Sequence, residues 1–483
     1  MSSRSRDTHP DDHWYHGSAR PRKVRPGKPL PRPEAASLSS QPNALARRNA
    51  LTLVLGFAAI IAIGTVLLRL PISGTTRSLT WSEAFFTSTS ATTVTGLSVI
   101  TLARDLSLFG QIVVLVLMEV GGVGFIAFSV ILFALIGRRI GMARRLLLQQ
   151  SLGVLESVRI ARLTAIVLVI TLGIQFVGAA LLWLRWLPEL GVGRAAYLAL
   201  FHAVSSFCNA GFDLFTGTDT VLFGFGRDPF TLSVLMVLII IGGLGILVIA
   251  DLVTYPNDRR LMVHTKLTLL ISVILTIAGF AVLLGDGLFG GRALNDMSLG
   301  DRLWVSLFSV VSARTAGLTI FPIDQLSEAT ALMFMLLMFI GGAPASMAGG
   351  VTISTIGVIG VAVMATVRGL PQAVVFERVL PFETIAKAAA IMTVSTLLCF
   401  LMTLILLASG SERLLNTGFE VVSAFSNTGY TLNTTTQLNE AGRLLIAFTM
   451  FWGRLGPLTM VVLLAQRERP SLARYPAEQI VIG

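Results

Sequence analysis

Thr87-Ser88-Thr89-Ser90-Ala91-Thr92-Thr93-Val94-Thr95-Gly96-Leu97-Ser98-Val99 is the stretch whose reading decides the fold. A short apolar segment, 81–91, leads into its loop 92–97, which holds small hydroxyl residues and the single Gly96. That segment is too short to cross a bilayer, which takes roughly 20 apolar residues. Long apolar runs flank it at 50–70 and 108–136. A half-helix that ends in a Thr/Gly loop between two spans is how an ion filter is built. Backbone carbonyls there replace an ion's hydration shell, and glycine lets the chain turn them toward an axis.

The pattern recurs about every 111 residues. Helices near 163–186 and 230–252 enclose a segment with Gly211, those near 266–284 and 329–367 one with Gly317, and those near 385–407 and 443–464 one with Gly429. The loop glycines are 115, 106 and 112 positions apart. A second marker keeps the same register: Gly121-Gly122, Gly242-Gly243, Gly341-Gly342 and Gly453-Arg454 lie 25, 31, 24 and 24 residues beyond them. The expected organisation is a tail (1–47), four helix–half-helix–helix repeats (48–137, 138–253, 254–367, 368–465) and a C-terminal tail (466–483).

Composition sets the class. The chain is 54% hydrophobic and only 13% charged, with mean hydropathy +0.78, where a soluble protein carries about 25% charge. It is read as an all-α polytopic membrane protein with eight spans and four re-entrant half-helices. Cys208 and Cys399 lie in apolar segments, which supports neither a metal site nor a disulfide framework. The net charge of +11 does not indicate nucleic acid, because 24 of the 37 Lys/Arg residues fall in the tails and in the loops 137–162, 251–266 and 366–387. This asymmetry puts both termini in the cytoplasm of a cell-membrane protein and brings the loops in from outside. The N-terminal tail, rich in Pro, Arg and Ser, reads as disordered and has no apolar signal core.

Four hairpins in one chain can close around a pseudo-fourfold axis. Carbonyls would come from Thr93, Val94, Thr95 and Gly96, from Cys208, Asn209, Ala210 and Gly211, from Arg314, Thr315, Ala316 and Gly317, and from Ser426, Asn427, Thr428 and Gly429. Non-helical backbone at membrane depth survives only where protein buries it or a wet cavity is lined by it. The negative ends of the half-helices would favour a cation, and carbonyl dipoles without carboxylate rings suit dehydrated potassium. Close helix packing alone accounts for the Gly pairs at 121, 242 and 341, but not for glycines that follow segments too short to span.

At these residues the chain resembles the Trk/Ktr/HKT superfamily of potassium transporters, most of all the KtrB-type membrane subunit. The motifs are TSTSATTVTGL, SSFCNAGF, SARTAGL and SAFSNTGY, with GGAPASMAGG and GRLGPLT. The resemblance covers about residues 50–465 and implies four M1–P–M2 units around one ion path, assembled as a homodimer in the bilayer. Gly96 stands where sodium-passing members tend to carry serine, so the resemblance implies K+ as the transported ion. It leaves room for Na+ as an activator. It further implies a separate KtrA-like cytoplasmic ring that binds adenine nucleotides.

The third repeat breaks at Gly341-Gly342-Ala343-Pro344-Ala345-Ser346-Met347-Ala348-Gly349-Gly350, where proline and glycines end a helix. The residues themselves read as a flexible intramembrane segment. The resemblance makes 342–350 the gate, and it places Arg454 below the filter as a positive barrier facing that gate. Relatives often continue GGIKTTT, whereas Gly350 here is followed by Val351-Thr352-Ile353-Ser354 without the lysine. An intramembrane arginine is a functional candidate by default, against the plainer reading of an arginine tied to carbonyls. Arg314 reads as scaffold, since a cation at the filter would repel K+. Glu420 is a candidate support for the filter through hydrogen bonds, and Glu83 an outer-interface residue. Glu119, His202 and Asp251 read as packing or interface residues.

No P-loop and no G-x-G-x-x-G between strand and helix is present, so the chain has no nucleotide motif of its own, and no organic cofactor is expected. The alternative is a secondary cation carrier with broken helices, a symporter or Na+-selective transporter. Such carriers use inverted repeats rather than four units of one direction. A membrane enzyme ranks third, for lack of a His/Asp/Glu constellation or a G-x-S-x-G motif.

Overall fold

The computed structural model describes residues 41–123, 160–215, 225–344, 346–410 and 413–456. Several sequence expectations lie outside the described residues: most of the basic tail, the helix 108–136 beyond Val123 with the following cytoplasmic loop, Ala345, and the C-terminal tail. The chain divides into two units, Met1–Ala44 and Leu45–Gly483. Of the first, only residues 41–44, which open a helix, are described, and the architecture is that of the second.

The described residues are mostly helical. In chain order the main helices are α1 (Gln41–Arg69), α2 (Trp81–Thr92), α3 (Leu108–Val123), α4 (Ile160–Leu190), α5 (Val192–Phe207), α6 (Pro229–Leu244) and α7 (Ile246–Asp258). Then come α8 (Val263–Leu284), α9 (Leu299–Ala313), α10 (Glu328–Phe339), α11 (Ile353–Val367), α12 (Phe382–Ala408), α13 (Leu414–Ser426) and α14 (Glu440–Leu455). A hairpin of two-residue strands, β1 (Val374–Val375) and β2 (Arg378–Val379), separates α11 from α12.

Helix starts follow local chemistry. Thr80 and Glu83 form a capping box at α2, the Thr80 hydroxyl accepting from Glu83 N at 3.2 Å and the Glu83 carboxylate from Thr80 N at 2.9 Å. Side chains of Asp228, Ser298, Ser327 and Asn439 cap α6, α9, α10 and α14 in the simpler way. The span read as continuous over 230–252 is not one helix. It breaks at Gly245, whose φ of +76° suits only glycine, and its two halves meet at 101°.

Among the described residues three helices are long and apolar enough to cross a membrane: Val169–Leu190, Val263–Leu284 and Phe382–Ala408. The bent pair at Gly245 would make a fourth, and Val54–Arg69, Leu108–Gly122, Glu328–Phe339 and Ile353–Val367 are shorter apolar helices.

Polarity is distributed inside out. Thr87, Ser88, Thr89, Ser90, Thr92, Thr93 and Thr95 are all buried, while Phe176, Phe382 and Phe400 are 73%, 81% and 66% exposed. Lipid, unlike water, rewards an apolar outer surface, and small residues inside let helices approach. Gly64 of α1 packs on Ser88, whose Oγ donates to Ile61 O at 2.8 Å.

The helices that lead into the loops, α2, α5, α9 and α13, are largely buried, and each packs against a helix from another part of the chain. α5 packs on α3, α9 on α6, α13 on α10, and α2 on α14. The last contact joins the two ends of the described chain, so the arrangement closes on itself.

Candidate functional site

Each short helix ends in a tight turn that leads to its glycine. Ser90, Ser205 and Ser423 each accept, through the backbone carbonyl, an N–H five residues on, from Thr95 (2.8 Å), Ala210 (2.7 Å) and Thr428 (3.0 Å). This closure forces the residue between into the left-handed region: Val94, Asn209 and Asn427 have φ of +57°, +57° and +53°. For β-branched Val94 that is a rare conformation, of the kind that clusters at functional sites. Gly96, Gly211, Gly317 and Gly429 follow with φ of +88°, +69°, +67° and +95°.

The four glycines form a ring. A Cβ on Gly96 would lie 2.5 Å from the Ala210 carbonyl oxygen, and one on Gly211 would overlap that of Ala316. One on Gly317 would overlap that of Thr428, and one on Gly429 that of Thr95. Each glycine thus abuts the carbonyl just before the next glycine, and the fourth returns to the first. Only residues without a Cβ can approach this closely.

The second glycine marker serves the same centre. Gly121, Gly242 and Gly453 abut the carbonyls of Thr92, Phe207 and Phe425, each four residues before a ring glycine. Gly341 differs, since its neighbour is the carbonyl of Gly349. The broken helix α10–α11 has folded its own loop into the space.

Residues 36–475 match the TrkH family model, described as a cation transport protein. The chain belongs to the TrkH family. The Ktr system potassium uptake protein B of Bacillus subtilis (strain 168) is 36% identical over 431 residues, covering 89% of this chain and 96% of that protein. The potassium/sodium uptake protein NtpJ of Enterococcus hirae is 33% identical over 437 residues, covering 89% of this chain and 96% of that protein. The crystal structure of the potassium transporter TrkH from Vibrio parahaemolyticus superposes with a TM-score of 0.69 at 19% identity, covering 87% of this chain and 85% of that one, and shows the shared fold. This TrkH-family chain is therefore a membrane cation transport protein and not an enzyme.

In this TrkH-family chain the loop between α10 and α11 is tied on several sides. Ala343 N and Met347 N donate to Gly243 O (3.0 Å) and Gly242 O (3.1 Å). Gly341 N donates to Val351 O at 2.9 Å, Ile353 N to Gly342 O at 3.0 Å, and the Ser346 hydroxyl accepts from Ala348 N at 3.2 Å. Gly349 lies against the Asn427 side chain, and Gly350 against Ser426. Arg454 donates to the Met347 carbonyl and to those of Gly121 and Gly122, the last at 3.1 Å. The arginine tied to carbonyls and the arginine facing the glycine-rich break are one and the same.

The remaining candidates have separate surroundings. Glu420, fully buried, accepts from the hydroxyls of Thr431 (2.7 Å) and Thr435, bracing the limb that leaves Gly429. Glu83 pairs with Arg77 at 2.7 Å. The guanidinium beside it, with Thr80, holds its carboxyl down at about 2. His202 sits among Trp186, Phe201 and Phe215 with Nδ1 at 2.7 Å from Leu198 O, and Asp251 accepts from Met262 N. Glu119 is more than packing, because its carboxylate accepts from Gln175 Nε2 (2.9 Å) and from the Cys208 thiol (3.5 Å), at a loop residue.

The third loop carries a signal that the glycine spacing alone does not reveal. Ser205 and Ser312 both donate to the carbonyl just after the ring glycine, of Phe212 (2.6 Å) and Leu318 (3.0 Å), so they are equivalent. Yet Ser205 precedes its glycine by six residues and Ser312 by five. The third loop is one residue shorter, and Thr315, two before Gly317, has no positive φ.

Proposed function

We propose that this chain is the ion-translocating subunit of a potassium uptake system, in which K+ enters the cytoplasm down its electrochemical gradient through the ring of four loops. The closed glycine ring carries this reading. In it the chain has four M1–P–M2 units and eight spans, the M2 spans of the second and third units being broken. Carbonyls of 93–96, 208–211, 314–317 and 426–429 replace the hydration shell of K+, and the short helices turn their negative ends toward it. The segment 342–350 is the gate, held by Arg454. In this reading, which rests on the family resemblance of the loop motifs and on the Lys/Arg asymmetry, the subunit is a homodimer in the plasma membrane, with both termini cytoplasmic and a KtrA-like ring as partner.

The test is rubidium and sodium influx into proteoliposomes under an imposed potential. Wild type should pass rubidium in competition with potassium. Gly96→Ser, which places a hydroxymethyl group at an occupied position and at φ +88°, should lose its discrimination against sodium by tenfold or more, the factor that about 1.4 kcal/mol represents. Unchanged discrimination would reject the ring as filter. The name of the Enterococcus relative favours one second reading, a path that also passes sodium. Comparable rubidium and sodium influx in wild type would select it, and saturation at high flux would favour a carrier.

A further inference from the structure

In the second and fourth loops, the left-handed asparagine ties the loop to the second long helix of its own unit. With its amide turned so that oxygen faces the donor and nitrogen the acceptor, Asn209 accepts from Gly243 N and donates to Ser206 O, each at 3.3 Å, and Asn427 Nδ2 donates to Met450 O at 2.9 Å. The third loop cannot do this. It is a residue shorter, and the corresponding helix is broken between Phe339 and Ile353. Its tie runs the other way. Arg314, the C-cap of α9, sends its guanidinium to α8, where Nη2 donates to the buried Ser272 Oγ at 3.2 Å. Its Nε has no hydrogen-bond partner among the described residues, so Ser272 is the contact that orients it.

We infer that Arg314 is a positioning residue for ion selectivity, holding the third loop on α8 through Ser272 so that the ring keeps its geometry while the broken helix α10–α11 rearranges. This rests on the reading of the ring as the filter. The second and fourth loops are fastened by their asparagines to α6, ahead of its bend at Gly245, and to α14, whereas the helix that would serve the third loop is interrupted right beside it. The loop beside the break needs an anchor that does not move with it. Without that anchor, a displacement of 342–350 would pull on Gly317, which sits in contact with Thr428 and Gly429.

The experiment measures rubidium influx with and without competing sodium for the full-length protein in proteoliposomes. Gly96→Ser, Arg314→Gln, Arg314→Lys and Ser272→Ala are compared, each of the last three also with 342–350 shortened. Arg314→Gln should lower rubidium-over-sodium selectivity about tenfold, the worth of one hydrogen bond from a charged donor. Arg314→Lys should recover part of it, Ser272→Ala should lose a few-fold, and the losses should be the same with the shortened loop. Selectivity retained in both Arg314→Gln and Ser272→Ala, while Gly96→Ser loses it, overturns the inference. If Arg314→Gln does not fold, Ser272→Ala decides alone. A loss that disappears in the shortened background overturns the independence from the break. Selectivity retained in Gly96→Ser overturns the filter reading itself, and this inference with it.

Discussion

Asn427 concentrates in one side chain the contacts that other loop residues share out. Its Nδ2 donates to Thr95 Oγ1 and to Met450 O, both at 2.9 Å, and so fastens the fourth loop to the first and to α14. The Thr95 hydroxyl also lies 2.8 Å from that of Thr93, so the bond closes a chain of polar contacts across the seam where the ring returns to its start. Asparagine further tolerates the φ of +53° that the turn imposes. Asn427→Ala should therefore cost about 1–3 kcal/mol, read as a lower thermal unfolding midpoint in detergent. Asn427→Gly should cost less, since it relieves the backbone while still losing the bonds. Equal losses would mean that the side-chain bonds carry the whole effect. The need for a left-handed residue was not legible at Val94, because nothing local predicts a β-branched side chain there. It follows from the backbone closure of Thr95 N onto Ser90 O, a local turn that no turn-forming residue at position 94 announces.

At the scale of elements, the short helices are placed by caps at one end and glycine contacts at the other. The Glu83 carboxyl in the first turn of α2 is held down at about 2, chiefly by the Arg77 hydrogen bond. A depressed pKa contributes stability that is present above the ordinary carboxylate value of 4.5 and is lost as pH falls through that window toward 2. The difference in melting temperature between wild type and Glu83→Gln should be constant from pH 7 to 5 and shrink below 4.5. A difference that grew on acidification would refute the assignment. The pair is partly exposed, so the effect should be small and weaken with salt. At the other end of the short helices lies the break between α10 and α11, where Arg454 is the tie that a substitution can cut. Arg454→Gln should raise rubidium influx about tenfold, the worth of a charge-assisted hydrogen bond, with selectivity unchanged. An unchanged influx would leave the loop held by its bonds to Gly242 and Gly243 alone. Proline and glycine announced this break in sequence, but the bend at Gly245 was not announced, because a lone glycine in an apolar run is compatible with either a kink or close packing.

For the molecule as a whole, the glycine spacing in the sequence carried the position of the four loop glycines that meet in the ring, and Pro344 with its flanking glycines carried the broken helix. It could not carry which loop touches which, since contact order around an axis is set by packing between segments hundreds of residues apart. Nor could it show the missing residue of the third loop, because a shift of one position is invisible until the equivalent serines are matched by what they bond. The cyclic order is testable without any transport assay. Gly96 and Gly429 are in contact, since a Cβ on Gly429 would lie 3.1 Å from the Gly96 Cα, whereas the atoms nearest a Cβ on Gly317 belong to Thr428 and Gly429, and those nearest one on Gly96 to Ala210 and Gly211. Substitutions at touching sites couple by 0.5–3 kcal/mol, while those at separated sites add to within about 0.5. In a thermal unfolding cycle, Gly96→Ala with Gly429→Ala should be non-additive, because the first clash already displaces the strand that the second would strike. Gly96→Ala with Gly317→Ala should add. Additivity in both pairs would mean that the loops relax independently, and coupling of the second pair alone would require that the loops follow one another around the axis in a different order.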